Sequence, residues 1–468
     1  MSDTELIRRE PLWTLRLAPF ILSALALELF IAFEAFAVTT VLPVAMAELN
    51  GHGWYSMAFA ATITAGLVGF ISAGSWIDFR GVRSPLLVGG ALFILGIAAC
   101  ALAPNAPIFV LGRFVQGFGG GIVSVVLYVL IARKVSVQKR PTMFGLLSAA
   151  WLLPSLAGPL VAGYLAEVMS WRTIFWLVLL GSTVALICLL TVAVRPAPAD
   201  DSLAEVATSA GSDDGPKGER RRIVIAVSAA AALAALHFAG QLPRQWGMAA
   251  LIVGVIGLIL AARVLLPRGT LTFRGAAPRL VALRTVLGAT VTACDVHLTL
   301  FLQDQRGFAA TSAGLVIASG AGGWAAGSWV QARFESDHRS ERRLLALAAP
   351  LVACGPVAVL GCISGSLAFP FLIVGCVLMG TGMGIAYPRI ASAILRITDS
   401  REHGRYSSSL QASESMGSAA LLAMIGILLA SFAGDSGFVV SYGLLAALGA
   451  VGVVAAWWPD GSRDGSMA

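Results

Sequence analysis

Fourteen stretches of this chain are apolar over roughly the length that a helix needs to cross a bilayer. A spanning helix takes about 20 mostly apolar residues, and in hydrocarbon every backbone group must find its partner inside the protein. The stretches are 17–44, 54–77, 85–104, 107–131, 141–165, 171–194, 223–240, 246–266, 279–303, 311–333, 343–363, 367–395, 406–433 and 437–458. A chain so built is expected to be an all-α membrane protein, because open sheet edges do not survive in lipid. Composition agrees: 57% of the 468 residues are hydrophobic and 12% charged, against roughly 25% charged in a soluble domain. The opening MSDTELIRREPLWTLR lacks the small-residue cleavage site of a signal peptide, so the N-terminus is expected to be retained.

Loop charge orients the spans. With the N-terminus inside, the inner loops include DFRGVR, ARKVSVQKR, GERRR, LPRGTLTFRGAAPR, ARFESDHRSERR and RITDSREHGR. The outer loops hold Arg244 and Arg306 and little else that is basic. This is the asymmetry of the positive-inside rule, and it predicts a multi-pass protein of the inner (plasma) membrane with both termini cytoplasmic. The net charge of +7 is then a property of inner loops and gives no reason to expect nucleic acid. The six cysteines fall in apolar stretches without metal-ligand spacing, so neither metal nor cofactor is expected. The chain has no G-x-x-x-x-G-K-(S/T) run for a nucleotide and no nucleophile triad, so no enzyme and no ATP drive are expected.

The chain echoes itself. GSWIDFR (74–80) ends the second span and GSWVQAR (327–333) ends the tenth, while QGFGGGI (116–122) and MGTGMGI (379–385) lie at a similar separation. Duplicated six-helix halves follow: an N-terminal bundle at 1–194 and a C-terminal bundle at 279–468. Residues 195–222, rich in Pro, Ala, Ser, Asp and Gly, read as a disordered cytoplasmic linker. The pair at 223–266 reads as two inserted helices, peripheral to any pathway, with no acidic residue and with His237 and Arg244 as ionisable groups away from its ends.

FIAFEAFAVTTVLP (30–43) raises the chemical question, because it carries Glu34 well inside an apolar run, with Glu28 six residues earlier. An ionised carboxylate there costs several kcal/mol, so such residues face a bundle interior or a watery cavity. Glu34 reads either as a neutral carboxyl bonded between helices or as a proton carrier, since a carboxyl moved between apolar surroundings and a cation can load and release a proton. Glu28 is about 9 Å away along the axis and about 240° round the helix, so the two do not share one narrow site. Arg113, inside the fourth span, needs an acidic partner, and the first span offers Glu34 and Glu28. Asp295 and His297 in TACDVHLTL stand on different helix faces; Asp295 is a cavity candidate and His297 a packing residue or polar glue. Arg389 is near an inner end and is expected to snorkel. Phe33, Phe36, Trp151, Trp324 and Met383 could form an apolar binding wall.

Several motifs resemble the major facilitator superfamily, and within it the fourteen-helix drug:proton antiporters. GSWIDFRGVR resembles the loop motif G-x-x-x-D-(R/K)-x-G-x-(R/K), with Gly74, Asp78, Gly81 and Arg83 matching and Phe79 in a usually basic position. There Gly74 would permit close helix approach, and Asp78 would latch one conformation through a cation or a helix N-terminus. The second copy has Gln331 in place of the aspartate. LGRFVQGFGGG (111–121) resembles R-x-x-Q-G-x-G, whose arginine the family assigns to proton coupling. GLLSAAWLLPSLAGPLVAG (145–163) resembles the antiporter motif: Gly145, Gly158, Pro159 and Gly163 match, while Pro154 and Ala162 stand where glycine is usual. EAFAVTTVLP matches the first-helix pattern at Val38, Leu42 and Pro43, with Glu34 in its acidic slot. SWRTIFW and FLQDQRGFAATSAG are similar to that group's entry to helix six and its helix seven-to-eight junction.

The resemblance implies a proton-coupled exporter of lipophilic, often cationic or zwitterionic drugs, working by rocking of two halves, with Glu34, Arg113 and Glu28 in coupling. By the echo Glu414 stands opposite Trp151, on a helix that lines the family's cavity, and joins Asp295, Trp151 and Phe36 as substrate-cavity candidates. Small lipophilic substrates, protons and membrane lipids are the expected partners, and the chain is expected to work as a monomer. A lipid or envelope-precursor exporter of the same fold, and a non-transporting receptor or assembly factor, are the alternatives.

Overall fold

Withdrawn from water, an apolar run satisfies its backbone most simply as a helix, and here every such run does so. The computed structural model describes residue 14 and residues 17–135, 140–193, 215–239, 244–334, 338–398, 403–432 and 434–457. Among them are fourteen α-helices: α1 Ala18–Glu48, α2 Tyr55–Arg80, α3 Arg83–Ala101, α4 Ala106–Lys134, α5 Arg140–Val168, α6 Arg172–Ala193, α7 Gly215–Ala239, α8 Arg244–Leu265, α9 Ala276–Leu300, α10 Ala310–Gln331, α11 His338–Ile363, α12 Phe369–Ile397, α13 His403–Ser431 and α14 Asp435–Trp457. A π-helical turn, Phe301–Gln305, follows α9.

Each of the fourteen expected spans falls on one of these helices, yet twelve of the described helices are long and apolar enough to cross a membrane. The other two are α7 and α10. In α7 the described apolar run, Val227–Ala239, is shorter than a span. In α10 the run SGAGGWAAGSW dilutes the apolar residues with glycine and serine. The expected linker at 195–222 is also shorter than its composition suggested. Residues 195–214 lie outside the described residues, but 215–222 are the first turns of α7. Pro216 sits in that first turn, where its missing N–H would have had no partner anyway.

The chain divides into two compact units. One is Met1–Trp54 with Ala61–Val227, the other Tyr55–Ala60 with Ser228–Ala468. In the first, α1 packs on α5 and α6, and α3 packs on α4 and α6. In the second, α9 packs on α13 and α14, and α11 packs on α12 and α14. The same pairings recur in the same order, which is the structural counterpart of the sequence echo.

Glycine sets the closest approaches in both units. A Cβ at Gly69 of α2 would lie 2.3 Å from the Phe118 carbonyl oxygen of α4, and one at Gly121 of α4 would lie 2.4 Å from the Gly66 oxygen of α2. In the second unit a Cβ at Gly323 or Gly327 of α10 would strike the carbonyls of Val377 and Thr381 of α12 at 2.1 and 2.2 Å. The glycines that make α10 less apolar are thus the ones that seat it against α12. The close approach expected at Gly74 is not seen among the described residues: Gly74 is exposed, and a Cβ there would meet nothing described within 4 Å. The close approach has moved up α2 to Gly69. Gly81, by contrast, does need to be glycine. Its φ is +66°, and its N–H closes α2 on the Ile77 carbonyl at 2.8 Å. Gly69→Ala should therefore lower the stability of the purified protein by about 1–3 kcal/mol, read as a fall in melting temperature, whereas Gly74→Ala should leave the melting temperature where it was.

Candidate functional site

The polar core of the first unit begins on α1, which carries acidic residues and no basic one. α4 supplies the cation. Its N-terminus is fixed by Asn105, whose side chain accepts the Ile108 N–H at 3.1 Å, and Pro107 occupies the first turn. Arg113 then comes about two turns inside, where Nη1 donates to Glu34 Oε1 in an ion pair. Arg113 is 2% exposed and Glu34 4%. The same Nη1 donates to Gln116 Oε1 at 3.0 Å, one turn further along α4. The Gln116 amide nitrogen is buried with no hydrogen-bond partner among the described residues.

Glu28 faces another way. Trp151 of α5 donates its indole N–H to Glu28 Oε1 at 2.7 Å, and the Trp151 ring meets Phe36 edge-on at 6.1 Å. Gly158 brings α5 against Phe33 and Phe36, with a Cβ position 3.4 Å from Phe36 Cβ. The carboxylates of α1 therefore take separate partners, as their angular separation requires: Glu34 turns to α4 and Glu28 to α5. Two of the aromatic candidates, Trp151 and Phe36, form a wall beside Glu28.

The second unit has its own carboxylate, half-buried, on the equivalent pair of helices. Glu414 of α13 accepts from Arg284 Nε of α9 at 2.9 Å and from the Tyr387 hydroxyl of α12. Glu28 is on α1 and its donor Trp151 on α5, whereas Glu414 is on α13 and its donor Arg284 on α9. Asp295 of α9 is half-buried, and its main-chain oxygen accepts from Thr299 Oγ1 at 2.9 Å. His297 is buried; its Nδ1–H donates to the Ala293 carbonyl at 2.9 Å, and its Nε2 shares a hydrogen bond with Ser56 Oγ at 3.0 Å. Arg389 does not snorkel. It is 2% exposed, with Nε donating to Gln331 Oε1 at 2.9 Å and Nη2 to the Phe334 carbonyl at 2.7 Å. A guanidinium here caps the C-terminal carbonyls of α10, so the glutamine of the second loop motif still serves as an acceptor, now an uncharged one.

Of the first loop motif, Gly74 and Gly81 are accounted for above, and Arg83 is exposed at the start of α3. The Asp78 side chain lies outside the described residues. Gly145, Pro154, Gly158, Pro159 and Gly163 all lie within α5, which stays helical through both prolines. Among the described residues no three His, Cys, Asp or Glu side chains gather as metal ligands.

Sequence reasoning passed over Arg284 and Tyr387. Arg284 lies inside the expected span 279–303, as Arg113 lies inside its own, and the same rule would have selected it. It also passed over Arg172 in SWRTIFW, which pairs with Glu48 and donates from Nη2 to the Ala103 carbonyl at 3.0 Å, tying the ends of α1 and α6 to the chain beyond α3.

The profile described as Major Facilitator Superfamily matches residues 24–368. A protein named probable multidrug-efflux transporter from Mycobacterium tuberculosis is 27% identical over 379 residues, 77% of this chain and 76% of that protein. An MFS-type transporter of Aspergillus fumigatus is 33% identical over 177 residues, 37% of this chain and 30% of the relative, so the match spans under a third of that protein's length. Among solved structures, a POT family transporter in complex with a thioalcohol-conjugated peptide is similar with a TM-score of 0.64 at 14% identity, over 93% of this chain and 94% of the other. The E. coli xylose transporter is similar with a TM-score of 0.60 at 12% identity, over 95% and 99%. These structural likenesses show the fold.

Arg113→Ala leaves the Glu34 carboxylate buried without its cation. That change should cost about 3–5 kcal/mol of stability, measured by thermal unfolding in detergent. Adding Glu34→Gln should recover more than half of the loss; strictly additive losses would mean that the two side chains are not energetically coupled.

Proposed function

The chain belongs to the Major Facilitator Superfamily, and on that premise we propose that this multi-pass membrane protein is a proton-coupled antiporter that exports lipophilic, often cationic or zwitterionic, drugs from the cell by alternating access. The observation that carries this reading is the buried pair Glu34–Arg113. As an ion pair the site is neutral overall. A proton on Glu34 cancels the carboxylate and takes this anion away from the buried guanidinium, which keeps Gln116 Oε1 among its acceptors. That state is costly unless the helices rearrange, so protonation biases a conformational equilibrium, as coupling requires. Beside it, Glu28, Trp151 and Phe36 offer a carboxylate and two rings to a cationic, apolar body.

The 27% identity to a protein named as a multidrug-efflux transporter supports drugs as the cargo. The antiporter-like residues of α5 support exchange. The finer assignment is to the fourteen-helix drug:proton antiporters of the inner membrane, with α7 and α10 also crossing, both termini cytoplasmic, and antibiotic resistance as the cellular outcome.

The test uses purified protein in liposomes with an imposed pH gradient and a lipophilic cationic dye such as ethidium. Wild type should move dye against proton flow, and an uncoupler should abolish the movement. Glu34→Gln should reduce gradient-driven transport at least about tenfold while the protein stays monodisperse, with Arg113→Gln/Glu34→Gln as the charge-neutral folding control. Gradient-driven transport by Glu34→Gln at the wild-type rate would overturn the reading.

A further inference from the structure

Arg284 in the second unit is gripped on one edge only. Its Nε donates to Glu414 Oε2 at 2.9 Å. Its guanidinium carbon lies 4.0 Å above the centroid of the Tyr387 ring. Tyr387 is itself fixed, its hydroxyl on Glu414 Oε1 and its ring edge-on to Trp324 at 5.3 Å. Gly288, one turn beyond Arg284 on α9, makes room for this cluster: a Cβ there would come within 2.9 Å of both Glu414 Oε1 and the Tyr387 hydroxyl. Side chains from α9, α12 and α13 thus set the plane of the guanidinium.

A carboxylate facing arginine commonly bridges two of its N–H groups. Here it does not, because Tyr387 takes the second oxygen of Glu414. Arg284 has five N–H donors, of which Nε uses one. The four on Nη1 and Nη2 meet no acceptor among the described residues. They are not sealed off either, since the Arg284 side chain is 13% exposed and that of Glu414 17%. The arrangement is a charged, planar, pre-oriented fork with its outer edge open, in contact with an aromatic ring and held by an anion on the opposite edge. That edge matches the two oxygens of a carboxylate, which bind it side by side.

We propose that Arg284 is a receptor for the carboxylate of an amphiphilic anion or zwitterion, with the Tyr387 and Trp324 rings receiving the apolar part next to it. As a statement about cargo this rests on the exporter reading; as a statement about binding it does not. Tyr387 then acts as a positioning residue: by occupying Glu414 Oε1 it keeps the guanidinium edge open.

The full-length protein in phosphatidylcholine nanodiscs, with no pH gradient, is titrated with dansylaminoundecanoate and with the carboxamide of the same chain. Both probes are apolar and fluorescent, and only the first offers a carboxylate. Wild type should bind the carboxylate at least about tenfold more tightly than the carboxamide. Arg284→Gln should bring that ratio to about one, and Arg284→Lys, which keeps the charge but not the fork, should lower it severalfold. Tyr387→Phe should lower it too, because the freed Glu414 oxygen can then bridge Arg284. If Arg284→Gln alone does not fold, Arg284→Gln/Glu414→Gln replaces the ion pair with neutral partners and should give the same ratio of about one. Equal binding of the two probes by wild type, or an unchanged ratio after removal of Arg284, would overturn the proposal. A preserved ratio in a protein that fails to exchange cargo for protons would count against the exporter reading alone.

Discussion

Arg113 and Glu34 face each other in the interior of an apolar bundle, at 2% and 4% exposure, and form an ion pair there. Removing one partner of a buried pair leaves an uncompensated charge, which costs about 3–5 kcal/mol. The pair fixes α1 against α4 at one depth and leaves Glu28, on the other side of α1, to face α5. In the proposed coupling, one proton on Glu34 disrupts this pair. The Gln116 carbonyl oxygen, within reach of the same nitrogen, gives the guanidinium a second, uncharged acceptor.

The second unit solves the same packing problem with the charges redistributed. Its helices pair as those of the first unit do, and glycines again carry the backbone contacts. Its carboxylate is on α13 and its cation on α9, and a tyrosine hydroxyl takes the second carboxylate oxygen. The helix pairings recur while the polar residues differ: Gln331 stands where the first loop motif has Asp78, and it accepts from Arg389.

The helices were legible because hydrocarbon permits few other structures, so the apolar runs located all fourteen. Where the structure supports the reading less directly, packing glycines or local charge are the reason. α10 falls short in apolarity because its glycines serve contact with α12, and the start of α7 reads as linker because its first turns are charged. Gly74 matched a motif, but the helix contact assigned to it sits at Gly69. That Arg113 meets an acid of α1 followed from one rule, that a buried guanidinium needs an acid, but the rule offered Glu34 and Glu28 alike. The partners of Glu28 and Glu414 did not follow, because a donor such as Trp151 or Tyr387 looks in sequence like any other aromatic in an apolar helix. Arg284 was legible and was missed.

The account turns on the proton occupancy of Glu34 changing as cargo binds. Infrared difference spectroscopy of the protein in lipid, with and without a transported lipophilic cation, reads that occupancy through the carbonyl stretch of a protonated carboxyl group. The account predicts a carboxyl difference band in wild type that is absent from Glu34→Gln and shifted in Arg113→Lys. A wild-type spectrum with no carboxyl difference, or a band that survives unchanged in Glu34→Gln, would contradict it.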